Sequence, residues 1–538
     1  MVVLDLDRRS RRNRRGRHLL RRQTRTRAPS AGWRRTRLGD PCAVMRVLVA
    51  VLMGLAWLVT GCGNDRTLPR FGETVIAVDV DLPVPKVVSR LRIDIHSEDG
   101  TWLDSREIAR PNPDDWPASF SVYTENETQP VRVFVRLRAF PTGRVRDYRG
   151  ERFWDWSFGT IFTPDPVDGA LPRLIVDGED RTPATEPTPL VTVDRLLLVR
   201  LEPGSLQQVD VLLTATCAGT MTFFGDDPRA GPQLGLAQTC IDAERIRALV
   251  EESPLDDRHE PGPSQQDRWT EPCTLPVAEG QVCVPGGVTI LGSTELTLIP
   301  DRAPLPERIV RLSPFLMDID EVTVGRFRAA LDAGWSPPTL VQLNEGPLDG
   351  SVEGNCTFSL NDQGRETHPV NCIDWFASDD FCAWSGGALA SEAQWEHAAT
   401  LANERSSSTY PWGNAPPTCE QAVHGRLDFD TPGVCSHLEA VPESVEATAD
   451  LTPLGLRGLA GNLSEWQRDH YDDYSSPCWT ASLSLDPQCV AEGAAMRSLR
   501  GGSWASPPTF LPSAVRQGVD SLGRASFIGF RCVYPGAP

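Results

Sequence analysis

Twelve cysteines spread between Cys217 and Cys532 constrain this chain more than any other feature of its sequence. They are Cys217, Cys240, Cys273, Cys283, Cys356, Cys372, Cys382, Cys419, Cys435, Cys478, Cys489 and Cys532. None stands at the two-to-four-residue separation typical of paired zinc ligands, so a structural metal framework is the weaker reading. An even number agrees with disulfides, which persist in an oxidising compartment outside the cytosol. Connectivity is open at this point, although neighbours such as Cys217 with Cys240, Cys273 with Cys283 and Cys419 with Cys435 would staple local loops.

The two other cysteines, Cys42 and Cys62, lie in an N-terminal region of different character. Residues 1–44 carry 14 Arg, no Lys and three acids, with no apolar periodicity. They read as a misassigned start or a disordered basic stretch. An arm for nucleic acid is the lesser alternative, since it would stand in front of an export signal. Met45-Arg46, the apolar run Val47 to Val59 and Thr60-Gly61-Cys62 have the layout of a secretory signal. The run is too short to span a bilayer.

Val59-Thr60-Gly61-Cys62 resembles the bacterial lipobox, which implies a signal peptide over 45–61 and lipidation of Cys62 as the first mature residue. Loss of residues 1–61 removes 15 of 53 basic and three of 72 acidic side chains, leaving a formal charge of about −31. Such a chain is unsuited to nucleic acid or anionic head groups, and its membrane contact would be the lipid anchor. Gly63 after Cys62 points to the outer membrane of a Gram-negative cell envelope.

After a tether over 62–72, period-two alternation begins at Thr74 to Val80, Leu91 to Ile95 and Val131 to Leu137. Further apolar runs follow at Leu190 to Val193, Leu196 to Leu201 and Val209 to Leu213, separated by Pro, Gly and Asp. Residues 73–216 are therefore expected to form an all-β sandwich. Residues 217–275 read as a Cys- and Pro-containing linker. Ile241, Ile246, Leu249 and Val250 predict a short amphipathic helix within it, over 241–252.

From residue 276 onward short motifs accumulate in a fixed order. They include Gly286-Gly287 to Ser293, Glu321-Val322-Thr323, His368-Pro369-Val370-Asn371 with Asp374-Trp375, and Ser391-Glu392-Ala393-Gln394-Trp395-Glu396. Tyr410-Pro411-Trp412-Gly413-Asn414, Gly461-Asn462-Leu463-Ser464-Glu465-Trp466, Arg500-Gly501-Gly502-Ser503-Trp504 and Gly529-Phe530-Arg531-Cys532 complete the set. Read physically, Ser391 with Gln394 is a capping box, and Trp395, Ala398 and Ala399 form the buried face of the helix it starts.

This series resembles the formylglycine-generating enzyme, or sulfatase-modifying factor, family over residues 276–538. The resemblance implies an irregular α/β fold related to C-type lectins and a disulfide between Cys382 and Cys532. It also implies oxidation of a substrate cysteine by molecular oxygen at a copper ion held by two cysteines. Their expected positions fall on Ser506 and near Leu511, and no cysteine occurs between Val490 and Arg531. Thiolates are what select Cu(I), so copper is not expected here.

The family's structural calcium site maps to Gly461, Leu463 and Glu465, with Gly458 in place of a side-chain ligand. Calcium is therefore a possible ligand of a weakened site, since it takes six to eight oxygens. Ser503, Trp504, Ser506 and Arg516 correspond to the family's substrate groove and are the candidate binding residues. His368, His397, His424, His437 and His470 lack the spacing of an iron site. A single lysine, Lys86, excludes a phosphate-loop lysine.

The sequence thus points to a lipid-anchored exported protein whose C-terminal domain is a binding or structural module for a protein, peptide or glycan. The alternative is an oxidoreductase of the formylglycine-generating or non-haem-metal type acting on a protein or small thiol.

Overall fold

The computed structural model describes residues 2–5, 71–148, 153–155, 160–162 and 172–535, apart from 267, 269, 295, 297–303, 401–407, 428–433, 481–484 and 492–494. Cys62 and the expected signal and tether up to residue 70 lie outside the described residues.

The expected sandwich is present. One sheet runs in the order Val2–Asp5, Ala118–Thr124, Gly72–Val80, Leu206–Leu213 and Asp256–Asp257. Val2–Asp5, within the stretch 1–44 expected to be a misassigned start or disordered, is an edge strand here, held by backbone pairing to Ser121–Thr124. Gly72–Val80 and Leu206–Leu213 pair in parallel, which requires a long crossover, and the second sheet supplies it. That sheet is antiparallel, in the order Val193–Leu201, Val131–Phe140, Arg90–Ser97 and Trp102–Ala109. Ile76, Val78 and Val80 meet Leu91, Ile93, Ile95, Val133, Val135 and Leu137 between the sheets.

The other face of the second sheet is charged but not wet. Arg92, Asp94, His96 and Arg138 are nearly inaccessible to solvent. Arg138 pairs with Asp94 at 2.5 Å and with Glu186. Arg136 pairs with Asp194 at 2.6 Å. Phe224, Ala237 and Val250 complete the cover by packing on Phe134, Leu196 and Leu198.

The segment expected to be a helix over 241–252 is a turn and a short strand. Ala248–Leu249 pairs with Gln238–Thr239, and Asp242 closes the turn by accepting from the Arg245 backbone N–H at 3.0 Å. Ile246 and Leu249 stay 44% and 54% exposed. A short helix needs tertiary burial of its apolar face, and here only Val250 reaches a core. The following residues hold to the sandwich, with Ser264 donating to Asp79 at 2.7 Å and Gln266 to the Pro113 carbonyl at 2.8 Å.

The C-terminal half has little regular structure. A sheet of Gln281–Val284, Phe315–Asp318, Cys532–Tyr534 and Ala388–Leu389 stands beside one of Arg516–Asp520, Met496–Arg500, Ser464–His470 and Ile528–Gly529. The helices Val324–Asp332, Trp375–Trp384 and Glu392–Ala399 fill the space around them. Each helix starts on a side-chain cap, Thr323, Asp374 or Ser391, and the last is the expected capping box. Trp395, Ala398 and Ala399 are fully buried, as that helix's pattern requires.

Among the described residues six disulfides form. Cys217–Cys240, Cys273–Cys283 and Cys419–Cys435 are the anticipated local staples, and Cys382–Cys532 is the pairing implied by the family resemblance. Cys356–Cys372 and Cys478–Cys489 complete the set. The hairpin Gly287–Leu291 with Arg308–Leu312 inserts Val288 and Ile309 into the sandwich's own core. Arg144 pairs with Glu307 at 2.9 Å across the same boundary.

Candidate functional site

The Arg500-Gly501-Gly502-Ser503-Trp504 turn follows the strand Met496–Arg500 and lies against residues 460–462. Gly502 and Trp504 donate to the carbonyls of Ala460 and Asn462 at 3.0 and 2.8 Å. Gly501 has φ +76°, and an added Cβ would stand 2.5 Å from the Leu459 carbonyl oxygen, so the turn requires glycine there. Beyond it Ser503 and Ser506 come together, their hydroxyls 2.8 Å apart, with Ser506 Oγ also accepting from the Ser503 backbone N–H at 3.1 Å.

The other two groove candidates do not join them. Trp504 is fully buried among Val423, Leu463 and Ala505, and its indole N–H donates to the Ser526 carbonyl at 3.1 Å. Arg516 is also internal, holding both oxygens of Glu392 at 2.5 and 2.8 Å. Leu511 is fully buried beside Ala422 and Ala460, with Tyr410 and Trp412 against them. The two positions where the family resemblance places thiolates thus hold a hydroxyl bonded to its neighbour and an aliphatic side chain in a core.

Sequence reasoning missed an ionic core behind this turn. Glu392 and Glu396, one helical turn apart, face Arg500 and Arg516, and all four side chains are almost wholly inaccessible. Tyr474 receives a 2.6 Å hydrogen bond from Arg500, and its ring lies 4.0 Å from the Arg516 guanidinium carbon. Burial pushes the Glu392 carboxyl up, but Arg516 and Arg500 outweigh it and hold the group below the ordinary range. Burial prevails at Glu396, which stays raised. Burial and the Glu392 charge lift Asp469 to about 7. The signal was available in part, since two carboxylates at i and i+4 beside a buried Trp cannot both face water.

A second buried cluster occupies the proposed calcium positions. Glu465 accepts from Arg531 at 2.6–2.9 Å through both oxygens and from the Trp395 indole N–H at 2.8 Å. The same guanidinium donates to the carbonyls of Asp318, Ile319 and Arg457 at 3.3, 2.9 and 2.7 Å. Asn462 Nδ2 and the Leu463 backbone N–H donate to Glu321 at 2.9 and 3.0 Å. Burial, then the Glu465 charge, raises Glu321 well above the usual carboxylate range. Gly461, Leu463 and Glu465 do not fit a dication in this arrangement, because the one carboxylate among them already faces a saturated guanidinium. No group of three or more His, Cys, Asp or Glu side chains suited to a metal occurs among the described residues.

A cleft of about 540 Å³ opens elsewhere, at the boundary of the two domains, lined by Lys86, Arg144, Glu396, Thr400, Ser408 and Asn414 among others. A volume of that size is ordinary for a small-ligand site.

Comparison with known proteins places these features in a family. Residues 268–535 match the sulfatase-modifying factor enzyme 1-like domain. The formylglycine-generating enzyme of Thermomonospora curvata is 29% identical over 295 residues, covering 48% of this chain and 93% of the relative. The hercynine oxygenase of Mycolicibacterium smegmatis is 27% identical over 288 residues, covering 48% of this chain and 62% of the relative. Among solved structures, PvdO from Pseudomonas aeruginosa aligns at 21% identity with a TM-score of 0.37, over 47% of this chain and 93% of its own. The C-terminal half of the chain is a sulfatase-modifying factor enzyme 1-like domain, preceded by a β-sandwich.

Proposed function

We propose that this is a lipid-anchored protein of the cell envelope, held in the outer membrane through Cys62, whose C-terminal domain binds a protein, peptide or glycan and carries no copper oxidase centre. The observation that carries this reading is the filling of the two thiolate positions. Ser506 is engaged with Ser503, and Leu511 is 0% exposed in an apolar cluster. Neither side chain can hold Cu(I). The strongly acidic mature chain disfavours nucleic acid as the partner.

The test is metal content by elemental mass spectrometry on the mature protein, paired with oxygen uptake on a cysteine-containing peptide. The expected result is no stoichiometric copper and no uptake. Redox metal with uptake would overturn the reading. A Cys62→Ala variant should leave the membrane fraction, and its retention there would sink the anchor.

The second reading is an oxidoreductase on a thiol substrate, favoured by relatives named formylglycine-generating enzyme and hercynine oxygenase. Stoichiometric iron in the purified protein would favour it, because oxidation of a thiol by molecular oxygen without the copper-binding thiolate pair needs another redox centre.

A further inference from the structure

The six disulfides are not alike. Cys217–Cys240, Cys356–Cys372 and Cys382–Cys532 have both cysteines buried at 2% exposure or less. Cys478–Cys489 and Cys419–Cys435 are both asymmetric, with Cys489 and Cys435 fully buried and Cys478 and Cys419 half-buried, and what sets Cys419–Cys435 apart is its neighbour. Among the described residues it is the disulfide that has a histidine nitrogen against a sulfur, with His424 Nε2 lying 3.9 Å from Cys435 Sγ. His424 Nδ1 lies 2.9 Å from the Ala422 carbonyl, which can only accept, so Nδ1 carries the ring proton and Nε2 presents its lone pair to the sulfur. Burial lowers the His424 pKa, which keeps the ring neutral.

The location is also specific. Cys435 N–H donates to the Gly425 carbonyl at 2.9 Å, and Gly425 N–H donates to the Ser506 carbonyl at 2.8 Å. The disulfide is thus two backbone hydrogen bonds from the serine pair.

We propose that Cys419–Cys435 is a thiol–disulfide exchange site for an accessible thiol, entered at Cys419, with Cys435 as leaving group and His424 as its proton partner. A substrate thiolate attacks Cys419 Sγ, forming a new S–S bond there, while the Cys419–Cys435 bond breaks and its electron pair leaves on Cys435 Sγ. The proton that the substrate thiol gave to solvent returns to the Cys435–His424 pair. In the reverse step His424 Nε2 takes the Cys435 proton, and the thiolate attacks Cys419 Sγ to expel the substrate thiolate. With a second substrate thiol attacking the mixed disulfide, the substrate leaves as a disulfide and the protein pair is reduced. A disulfide compound of the same class reoxidises it by the same exchange. Access controls such rates, and the half-buried Cys419 provides it. No bound metal takes part, so the inference stands apart from the proposed function.

The test exposes the folded mature protein to reduced glutathione and maps adducts by peptide mass spectrometry after rapid alkylation. Cys419–Cys435 should open at least about tenfold faster than Cys273–Cys283 and Cys478–Cys489, with glutathione on Cys419. Release of glutathione from that adduct should follow a pH profile set by the Cys435–His424 pair, beside which Arg426 is the charged neighbour. His424→Asn should move the inflection toward the ordinary thiol value of about 8.5. Adducts on Cys435, opening only on global unfolding, opening no faster than the other two disulfides, or an unmoved profile in His424→Asn would each overturn the proposal.

Discussion

Arg531 and Glu465 form a closed ion pair, with three contacts of 2.6–2.9 Å between side chains that are each 1% exposed. Removing one partner strands the other charge in a medium that cannot solvate it. Arg531→Met is expected to cost about 3–5 kcal/mol of stability. Arg531→Met with Glu465→Gln should recover part of that loss. Chemical denaturation of the three proteins checks this, and additive costs would show that the two residues act independently.

Calcium should have no stabilising role. Both Glu465 oxygens already accept from Arg531, and one of them also from Trp395. Thermal unfolding in excess chelator and in millimolar calcium should therefore give the same Tm, because a ligand that does not bind the native state shifts nothing. A calcium-dependent rise in Tm would contradict the fit drawn from this geometry.

Asp450 should make the fold less stable as pH rises toward neutrality. Burial lifts its carboxyl to about 7 from an ordinary 3.8, so the folded protein keeps a proton that the unfolded chain has released. Its Oδ1 is buried without a hydrogen-bond partner, whereas Oδ2 accepts from Ala460 N–H. Between about pH 4 and 7 the unfolded state binds fewer protons at this position, and stability falls by up to about 1.4 kcal/mol per pH unit. Above 7 the effect is level. Asp469, also near 7, acts in the same direction, so Asp450→Asn isolates one group. Urea unfolding of both proteins across this window should show a shallower fall in the variant.

Leu511 and Ser506 should differ sharply on truncation. Leu511→Ala opens a cavity beside Ala422 and Ala460 and is expected to cost about 2–5 kcal/mol. Ser506→Ala loses hydrogen bonds at a half-buried hydroxyl, at about 1 kcal/mol. Equal small losses would mean that Leu511 lies in a mobile loop and not in a core.

Much of this architecture was legible in the chain, and the failures share a cause. The alternation in Leu91-Arg92-Ile93-Asp94-Ile95 identified the strand, but the same pattern puts Arg92 and Asp94 in water. The structure instead covers them, with Arg92 donating to the Thr185 carbonyl at 2.6 Å. Periodicity reports which residues share a face and not what later packs on it. Ser391 with Gln394 was readable because a capping box is local. The inward direction of Trp504 and Arg516 was not legible, because motif order locates a residue along the chain, while the side chain's direction depends on distant partners, Ser526 for one and Glu392 for the other. Phase also misled over 241–252, where apolar spacing gave no sign that Gln238 and Thr239 would compete as strand partners.

The hairpin that carries Val288 and Ile309 belongs by sequence to the C-terminal half, yet its side chains complete the core of the other half. Separating the halves would open the sandwich's interior and leave Val288 and Ile309 uncovered on the other half. A force or torque arriving at Gly72, the first residue of the sandwich strand nearest the proposed anchor, would therefore pass directly into the fold that bears Ser506. A protein tied to a surface in this way would present that fold at a fixed attitude, and the two halves should melt in a single transition.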